Sequence, residues 1–283
     1  MDGFLLVDKP TGISSFGVVA RVRRVIYEAQ KQEALATHED KVQGAGEQRT
    51  EAYEQYSEGA AQPATQQLAS SQNRVAGLAR EQVLAVRRPK VGHTGTLDPA
   101  ASGLMILVIG TYCKRAAEFS KLDKTYEVEL TLGATSTTGD IEGEITQKSS
   151  RQPSEIELEE VLGRFVGQIM QTPPIFSAIK VDGQRAYKLA RAGKEVKLQA
   201  RPVTIHDIDN IKYKYPKLTF TTSVSSGTYI RSLVEDIGKE LGTGAYMSAL
   251  KRTKIDNYEL AQAVGLDNLN AEIIQKDTQH LQK

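Results

Sequence analysis

A glycine-punctuated loop from Gly92 to Leu104 presents one histidine, His93, and one carboxylate, Asp98, ahead of an apolar stretch. A carboxylate held in such a loop can act as a nucleophile or can stabilise a cationic intermediate. The same residues also have a structural interpretation, because an Asp-Pro pair often begins a helix, with aspartate as N-cap and proline as the first helical residue. A lone histidine on a loop is equally ambiguous. The spacing alone leaves catalysis and helix capping both open.

The residues before this loop predict a strand, a turn and a helix. Gly3 to Val7 is mostly apolar, and Asp8 to Gly12 contains the proline and the glycine that favour a tight turn. Ser14 or Ser15 can cap the helix that follows. The apolar residues of this helix recur three and four positions apart and are Val18, Val19, Val22, Val25 and Ile26.

The residues after the loop alternate between strand and helix patterns. Lys124 to Leu132 alternates apolar with polar side chains, which is typical of a strand covered on one face. Further strands are predicted at Val203–Ile211 and Leu218–Val224, and helices at Ile156–Phe165, Ala186–Ala192 and Ile230–Leu241. This mixture predicts an α+β fold, in which helices flank an extended, mixed and largely antiparallel sheet.

The stretch from Glu28 to about Asn73 is rich in Gln, Ala, Glu, Ser and Gly and poor in large apolar residues. Such a composition buries too little surface to offset the entropy of ordering, so we expect residues 28–81 to form a flexible insertion. The insertion is acidic, and the rest of the chain carries a net charge of +5. That charge is compatible with a nucleic-acid partner but does not by itself indicate one.

The composition argues against disulfides, cysteine-based metal sites and membrane spans. Cys113 is the one cysteine of the sequence, and the four histidines are scattered without ligand-like spacing. Met1 to Val7 lacks the basic segment of a signal peptide, and the apolar run Leu104–Ile109 is too short to cross a bilayer. We therefore expect a cytoplasmic protein with no membrane segment and no metal.

Six motifs, in order along the chain, are similar to those of one enzyme family. They are Gly3–Pro10 with Gly12 and Ser14-Ser15, Gly92–Gly103, Lys124-Thr125-Tyr126, Pro174–Lys180 with Gly183, Tyr187 and Gly193, Gly227–Arg231, and Ala249–Arg252. Together they resemble the TruB-type family of tRNA uridine-55 pseudouridine synthases. The sequence departs from the family pattern at Gly17, Ala100 and Met105-Ile106, and none of these departures removes a catalytic group.

The resemblance implies the pseudouridine synthase fold, with an active-site cleft across the sheet, and isomerisation of uridine to pseudouridine at position 55 in the T loop of tRNA. It implies a catalytic domain made of residues 1–27 and 82–269, interrupted by the insertion at 28–81. Residues 270–283 would form a polar tail, too short for the PUA domain that many family members carry. Because the reaction is redox-neutral, no cofactor is expected. The expected partner is the T-arm of tRNA, and the protein is expected to be a monomer.

The resemblance also assigns roles to five residues of the site. Asp98 would act covalently on the substrate, at C1′ of the sugar or at C6 of the base. Arg231 would orient this carboxylate through paired hydrogen bonds and favour its anionic form. Tyr126 would lie against the flipped base. Tyr229 would contact the substrate, and Leu250 would form an apolar wall of the pocket.

His93 and a basic segment are implied to contact the RNA around the flipped nucleotide. His93 would enter the RNA where the extruded bases were stacked, and its stacking would offset part of the cost of flipping. Phosphate contacts are assigned to basic residues in a segment that resembles the mobile RNA-clamping region of the family. They are Arg185, Lys188, Arg191 and Lys194.

Each assignment has a simpler alternative. Tyr126, Tyr229 and Leu250 also fit core positions, and Arg231 also fits a surface position at the start of a helix. Two other functions remain open. One is a pseudouridine synthase that acts on another RNA, and the second is a non-catalytic tRNA-folding chaperone, for which Asp98 would be dispensable.

Overall fold

The computed structural model describes residues 1–54, 86–177, 179–181, 183–193 and 198–280. Its strands are β1 Gly3–Lys9, β2 Val91–His93, β3 Ser102–Ile109, β4 Lys124–Leu132, β5 Ala134–Ser136, β6 Ile145–Gln147, β7 Gly167–Gln171, β8 Lys180–Val181, β9 Gln184–Arg185, β10 Arg201–Lys214, β11 Lys217–Val224, β12 Ala245–Ile255, β13 Tyr258–Glu259 and β14 Val264–Gly265. Its α-helices are α1 Ser15–Glu54, α2 Ala116–Ser120, α3 Glu155–Phe165, α4 Ala186–Arg191, α5 Ile230–Glu240 and α6 Ala271–His280.

Ten strands of the described part form one sheet in the order β14-β1-β3-β12-β4-β11-β10-β7, with β13 paired to β12 and β2 paired to β3. Two neighbouring pairs, β1 with β14 and β12 with β3, are parallel, and the others are antiparallel. The α+β class and the mixed, largely antiparallel sheet predicted from the sequence are confirmed.

Strand β3 is shared by two hydrophobic cores. Its odd-numbered residues from Met105 to Ile109 pack in the larger core with apolar residues of α1, α3 and α5. Its even-numbered residues from Leu104 to Val108 pack in a second core, with Phe4 and Phe119, on the opposite face of the sheet. A strand buried on both faces has a continuous apolar sequence, because neither face needs polar side chains.

The helix predicted after the first turn is present, but it is longer than expected. Of its apolar stripe, Val18, Val19, Val22 and Ile26 are buried and Val25 is partly buried, as the spacing predicts. Helix α1 then continues to Glu54. Residues 28–54, which we expected to belong to a flexible insertion, are therefore helical. Residues 55–81 of that insertion lie outside the described residues, so its flexibility stays a prediction.

The end of the described chain is also helical. Helix α6 covers most of the segment expected to be a polar tail, and it contacts β1 and α1. Ile274 of α6 is fully buried in the larger core. Within the described ranges, no helix is both long enough and apolar enough to span a bilayer.

Candidate active site

Asp98 lies in the loop that joins β2 to β3. The loop does not begin a helix, since the N–H of Ala101 donates to the carbonyl of Asp98 (3.1 Å) and closes a turn that leads directly into β3. The helix-capping interpretation of Asp98 and Pro99 is therefore wrong. The carboxylate instead faces an arginine from a distant part of the chain.

The turn after β1 and the start of α1 hold this loop from one side. Ser15 Oγ accepts from the N–H of Leu97 and donates to its carbonyl, both at 2.8 Å. The N–H of Gly12 donates to the carbonyl of Pro99 (2.8 Å). Lys9, which is fully buried, donates to carbonyls on either side of the same turn. The first motif of the sequence thus supports the residue that carries the charge.

Arg231, the second residue of α5, pairs with Asp98. Its Nε lies 3.1 Å from Oδ2 of Asp98, and the residue is only 6% exposed, which rules out the surface interpretation. Its Nη1 donates to the carbonyl of Thr138 and its Nη2 to that of Phe176, both at 2.9 Å. The guanidinium therefore reaches Asp98 with one nitrogen, and the expected paired hydrogen bonds to the carboxylate are not formed.

A second carboxylate, which the sequence did not single out, lies on the other side of this guanidinium. Asp140 is 2% exposed, and its Oδ2 is 3.6 Å from Nη1 of Arg231. Its Oδ1 accepts from Thr138 Oγ1 (2.6 Å) and from the N–H of Glu142 (3.0 Å). The one local signal was the turn composition around Gly139, which has a positive φ of 77°.

The surroundings of Asp98 make it more basic than an ordinary aspartate. Burial raises the pKa of Asp98, and this is the largest effect. Arg231 opposes the rise, Asp140 adds to it and Lys9 opposes it. The carboxylate is thus less stabilised as an anion than an aspartate in water, and a less stabilised carboxylate is a better nucleophile and a better proton acceptor.

A cavity of about 260 Å³ opens beside the Asp98–Arg231 pair. It is lined by Gly95–Asp98, Ser120, Lys124, Tyr126, Phe176, Ser177, Ser225, Gly227–Arg231, Leu250 and Arg252. Five of the six residues assigned from the sequence therefore meet at one cavity, and they come from four separate elements and loops.

The strand register explains why Tyr126 and Leu250 share a wall of the cavity. Tyr126 pairs across β4 and β12 with Arg252, and Leu250 pairs with Val128. Directly opposed residues of neighbouring strands project to the same face, and so do residues two apart on one strand. Tyr126 is 8% exposed, so it packs in the core and lines the cavity at once.

Tyr229 is fixed at the start of α5 by two sets of contacts. Its N–H donates to Oε1 of Gln171 (2.8 Å), and its carbonyl accepts from Nε2 of the same side chain (3.1 Å). The guanidinium of Arg201 lies 5.3 Å from the centre of the Tyr229 ring, within the range of a cation–π interaction. Gln171 and Arg201 are further residues that the sequence did not single out.

His93 lies apart from the cavity wall, at the end of β2 beside Leu107. Its Nδ1 is buried and has no hydrogen-bond partner among the described residues. Burial, with smaller contributions from Arg252 and Arg185, lowers the pKa of His93, so the neutral ring is favoured. Arg185 and Lys188 are exposed. The side chain of Arg191 and the whole of Lys194 lie outside the described part.

Family models cover the chain from the end of the insertion onward. The model described as the TruB family pseudouridylate synthase N-terminal domain matches residues 82–230, which is more than half of the chain. The chain belongs to the TruB family. A second model, described as the tRNA pseudouridylate synthase B C-terminal domain, matches residues 231–283. The boundary between these two TruB models falls between Ile230 and Arg231, so the ion pair of Asp98 with Arg231 connects the two matched regions.

Curated relatives in the TruB family carry the name tRNA pseudouridine synthase B. Those from Pseudomonas aeruginosa (strain UCBPP-PA14) and Azoarcus sp. (strain BH72) are each 46% identical, over 180 and 182 residues. The one from Burkholderia mallei (strain NCTC 10247) is 44% identical over 182 residues. Each alignment covers 64% of this chain and 59 to 61% of the relative, so the chain spans about three fifths of the length of these relatives.

Solved structures support the fold of this TruB family chain. A Cbf5-Nop10-Gar1 complex matches with a TM-score of 0.58 at 22% identity, over 94% of this chain and 53% of the other. An H/ACA RNP bound to a substrate RNA containing 2′-deoxyuridine matches with a TM-score of 0.55 at 19% identity, over 94% and 52%. At these identities the likeness concerns the fold alone, and the fold predicted from the motifs is confirmed.

Proposed function

We propose that this protein isomerises uridine to pseudouridine at position 55 in the T loop of tRNA. The observation that carries the proposal is the Asp98–Arg231 ion pair, which opens onto a cavity with aromatic and apolar walls. The names of the curated relatives point to the same reaction. The expected division into a catalytic domain of residues 1–27 and 82–269 with an insertion at 28–81 belongs to this proposal.

The reaction breaks the bond between N1 of uracil and C1′ of ribose, turns the base and joins C5 to C1′. The proton on C5 is lost and N1 gains one, so atoms and electrons balance without an oxidant or reductant. Asp98 acts as the covalent nucleophile, at C1′ or at C6 of the ring. Its raised pKa suits a carboxylate that must attack carbon, while the nearby Arg231 guanidinium lowers the pKa and favours the anion.

The cavity suits one nucleoside turned out of an RNA strand. Its volume of about 260 Å³ is close to the lower end for small-ligand pockets, which is adequate for a single base and sugar. The Tyr126 ring takes one face of the base, Leu250 closes the wall beside it, and Tyr229 lies at the start of α5 next to Arg231. A closed pocket also retains the detached base while it turns.

His93 contacts the RNA outside the cavity, at the place where the flipped bases were stacked. Base flipping costs a few kcal/mol, and stacking on a planar side chain returns about 1 to 3 kcal/mol per base. A neutral imidazole suits this place between bases, and its buried Nδ1 lacks a partner among the described residues. The exposed Arg185 and Lys188 contribute phosphate contacts. Recognition of the T-arm, a cytoplasmic location and a monomeric state complete the proposal.

Mapping pseudouridine in tRNA transcripts incubated with the purified protein tests the proposed reaction. Wild-type protein should convert the T-loop uridine, and Asp98→Asn should convert none while its affinity for tRNA stays within a few fold, since phosphate contacts dominate binding. Substantial turnover by the variant would exclude Asp98 as the nucleophile. Refolding of tRNA by both proteins without any modification would instead identify a chaperone, and conversion of a different RNA would identify another substrate.

A further inference from the structure

Arg252 on β12 is a buried cation without a carboxylate partner. It is 1% exposed, and within the described ranges no Asp or Glu lies at ion-pair distance from it. Its charge is not neutralised locally: together with burial, which has the larger effect, it lowers the pKa of Lys124 to about 8. A buried, unpaired guanidinium is costly, and an apolar residue of similar length would avoid the cost. The charge therefore calls for a specific role.

Arg252 donates to one carbonyl at the start of the loop that carries Asp98 and to one carbonyl of β3, just after this loop. Its Nη2 donates to the carbonyl of Gly95 (3.2 Å) and its Nε to that of Leu104 (2.7 Å). Gly95 precedes Asp98 and Leu104 follows it, so one planar side chain connects the start of the loop to the strand into which the loop runs. The rigid fork of a guanidinium suits this task, because it fixes the distance between the two carbonyls it binds.

The first residues of β3 lie very close to the backbone of Arg252. Gly103 has a positive φ of 105°, and a Cβ there would lie 2.3 Å from the carbonyl oxygen of Arg252. A side chain at 103 would therefore push β3 away from β12, next to the carbonyl of Leu104 that the guanidinium binds. At the other carbonyl, a Cβ at Gly95 would lie 3.4 Å from Nη1 of Arg252, which is ordinary van der Waals contact.

Arg252 approaches the loop from the side opposite to its other supports. Ser15, Gly12 and Lys9 hold residues 97–101 from the β1–α1 side. Arg252 holds residues 95 and 104 from the β12 side, and it is the cross-strand neighbour of Tyr126 and lies two residues from Leu250. It therefore relates the carboxylate to the strands that carry the wall of the cavity.

We propose that Arg252 is a positioning residue, which clamps the start of the Asp98 loop and the strand after it, at Leu104 of β3, to β12 and so fixes the Asp98 carboxylate relative to Tyr126 and Leu250. The proposal rests on the proposed function for its kinetic consequences, but the clamp itself is a property of the folded protein. Misplacing a reacting group by about 1 Å can cost about a hundredfold in rate, so the clamp should affect turnover much more than binding.

The kinetic arm of the test compares Arg252→Met and Arg252→Lys with Lys251→Met. Lys251 is the exposed neighbour on the same strand and serves as the matched control. Arg252→Met should lower kcat about a hundredfold with tRNA affinity within about threefold. Arg252→Lys, which keeps the charge but not the fork, should recover part of that loss. Lys251→Met should turn over at nearly the wild-type rate, with a modest loss of affinity at most.

The structural arm measures hydrogen–deuterium exchange in peptides covering residues 94–104, with helix α3 as the internal reference. In Arg252→Lys, which keeps the buried volume and is expected to fold, exchange should rise in 94–104 and stay unchanged in α3. Equal exchange in variant and wild type, or a rise of similar size in α3, would overturn the clamp. This readout needs no substrate, so a wild-type protein that makes no pseudouridine would refute the proposed function and leave the clamp testable. Wild-type kcat in both Arg252 variants would refute the positioning role.

Discussion

Asp98 and Asp140 lie on either side of one guanidinium, that of Arg231. Nε of Arg231 is 3.1 Å from the first carboxylate and Nη1 is 3.6 Å from the second, while two backbone carbonyls hold the remaining donors. The arginine is thus held by four oxygens, of which only one belongs to the proposed nucleophile. Its orientation depends on Asp140 and on the loops at 138 and 176, and it contacts Asp98 through Nε.

Arg231→Lys should remove most of the pseudouridine-forming activity. A lysine ammonium keeps the charge but cannot reach Asp98, Thr138 and Phe176 together. Steady-state kinetics on tRNA should show a loss of at least about a hundredfold in kcat. Arg164→Lys, at an exposed ion pair with Glu240, is the matched control and should behave as wild type. Near-normal kcat in Arg231→Lys would show that charge alone is sufficient.

The acidic limb of the pH profile of kcat/KM should report the pKa of Asp98. A nucleophilic carboxylate is active when deprotonated, so activity should fall as the pH drops through this pKa. Because burial raises the pKa of Asp98, the midpoint should lie above the ordinary aspartate value of about 3.9. Arg231→Gln removes the cation that opposes this rise, so its residual activity should have a midpoint at higher pH. An unchanged midpoint in Arg231→Gln would show that the fall in activity at low pH does not report the ionisation of Asp98.

Asp140→Asn should lower activity while shifting the same limb in the opposite direction. The Asp140 carboxylate raises the pKa of Asp98, so an uncharged amide at 140 should move the acidic midpoint to lower pH. Turnover should nevertheless fall, since Arg231 loses a buried anionic partner. Asp236→Asn, at an exposed pair with Lys239, is the control. A higher midpoint in Asp140→Asn would contradict the assigned electrostatics.

Replacing residues 28–81 by a short Gly-Ser linker should change the melting temperature by only a few degrees. In α1 up to residue 37, the last buried apolar residue is Ile26, so residues 28 to 37 add little to the core. Nη2 of Arg23 donates to the carbonyl of Val91 (3.0 Å), so α1 and β2, which precede and follow the replaced segment, are in contact and we expect a short linker to connect them. A large drop in a thermal melt would mean that the insertion packs on the catalytic domain.

The strands were predictable because their apolar patterns match their burial. Alternation in Lys124–Leu132 predicted a strand with one covered face, and β4 has this pattern. The continuous apolar run Leu104–Ile109 lies in β3, which is buried on both faces. The length of α1 was not predicted, because residues 28–54 have few large apolar side chains to bury. They do contain many Ala, Glu, Gln and Lys residues, which are strong helix formers. Poor burial excludes a place in the core, but it does not exclude a helix.

The residues of the site could be predicted only where they belong to a motif that resembles the family. Asp98 and Arg231 are 133 residues apart in sequence, and the resemblance of two short motifs paired them. Asp140 and the contacts of Arg252 were not predicted, because both depend on how loops from separate strands meet around a guanidinium. The capping interpretation of Asp98 failed for a related reason, since the residues after Pro99 enter the central sheet.

The double burial of β3 has a consequence for how this protein loses activity. The Asp98 loop runs directly into a strand that both cores hold, so freeing that strand requires most of the fold to open. We therefore expect the strand that follows the proposed nucleophile to open only together with most of the domain. Heating should abolish turnover at the temperature at which the whole domain melts, without an earlier stage in which the enzyme is folded and idle.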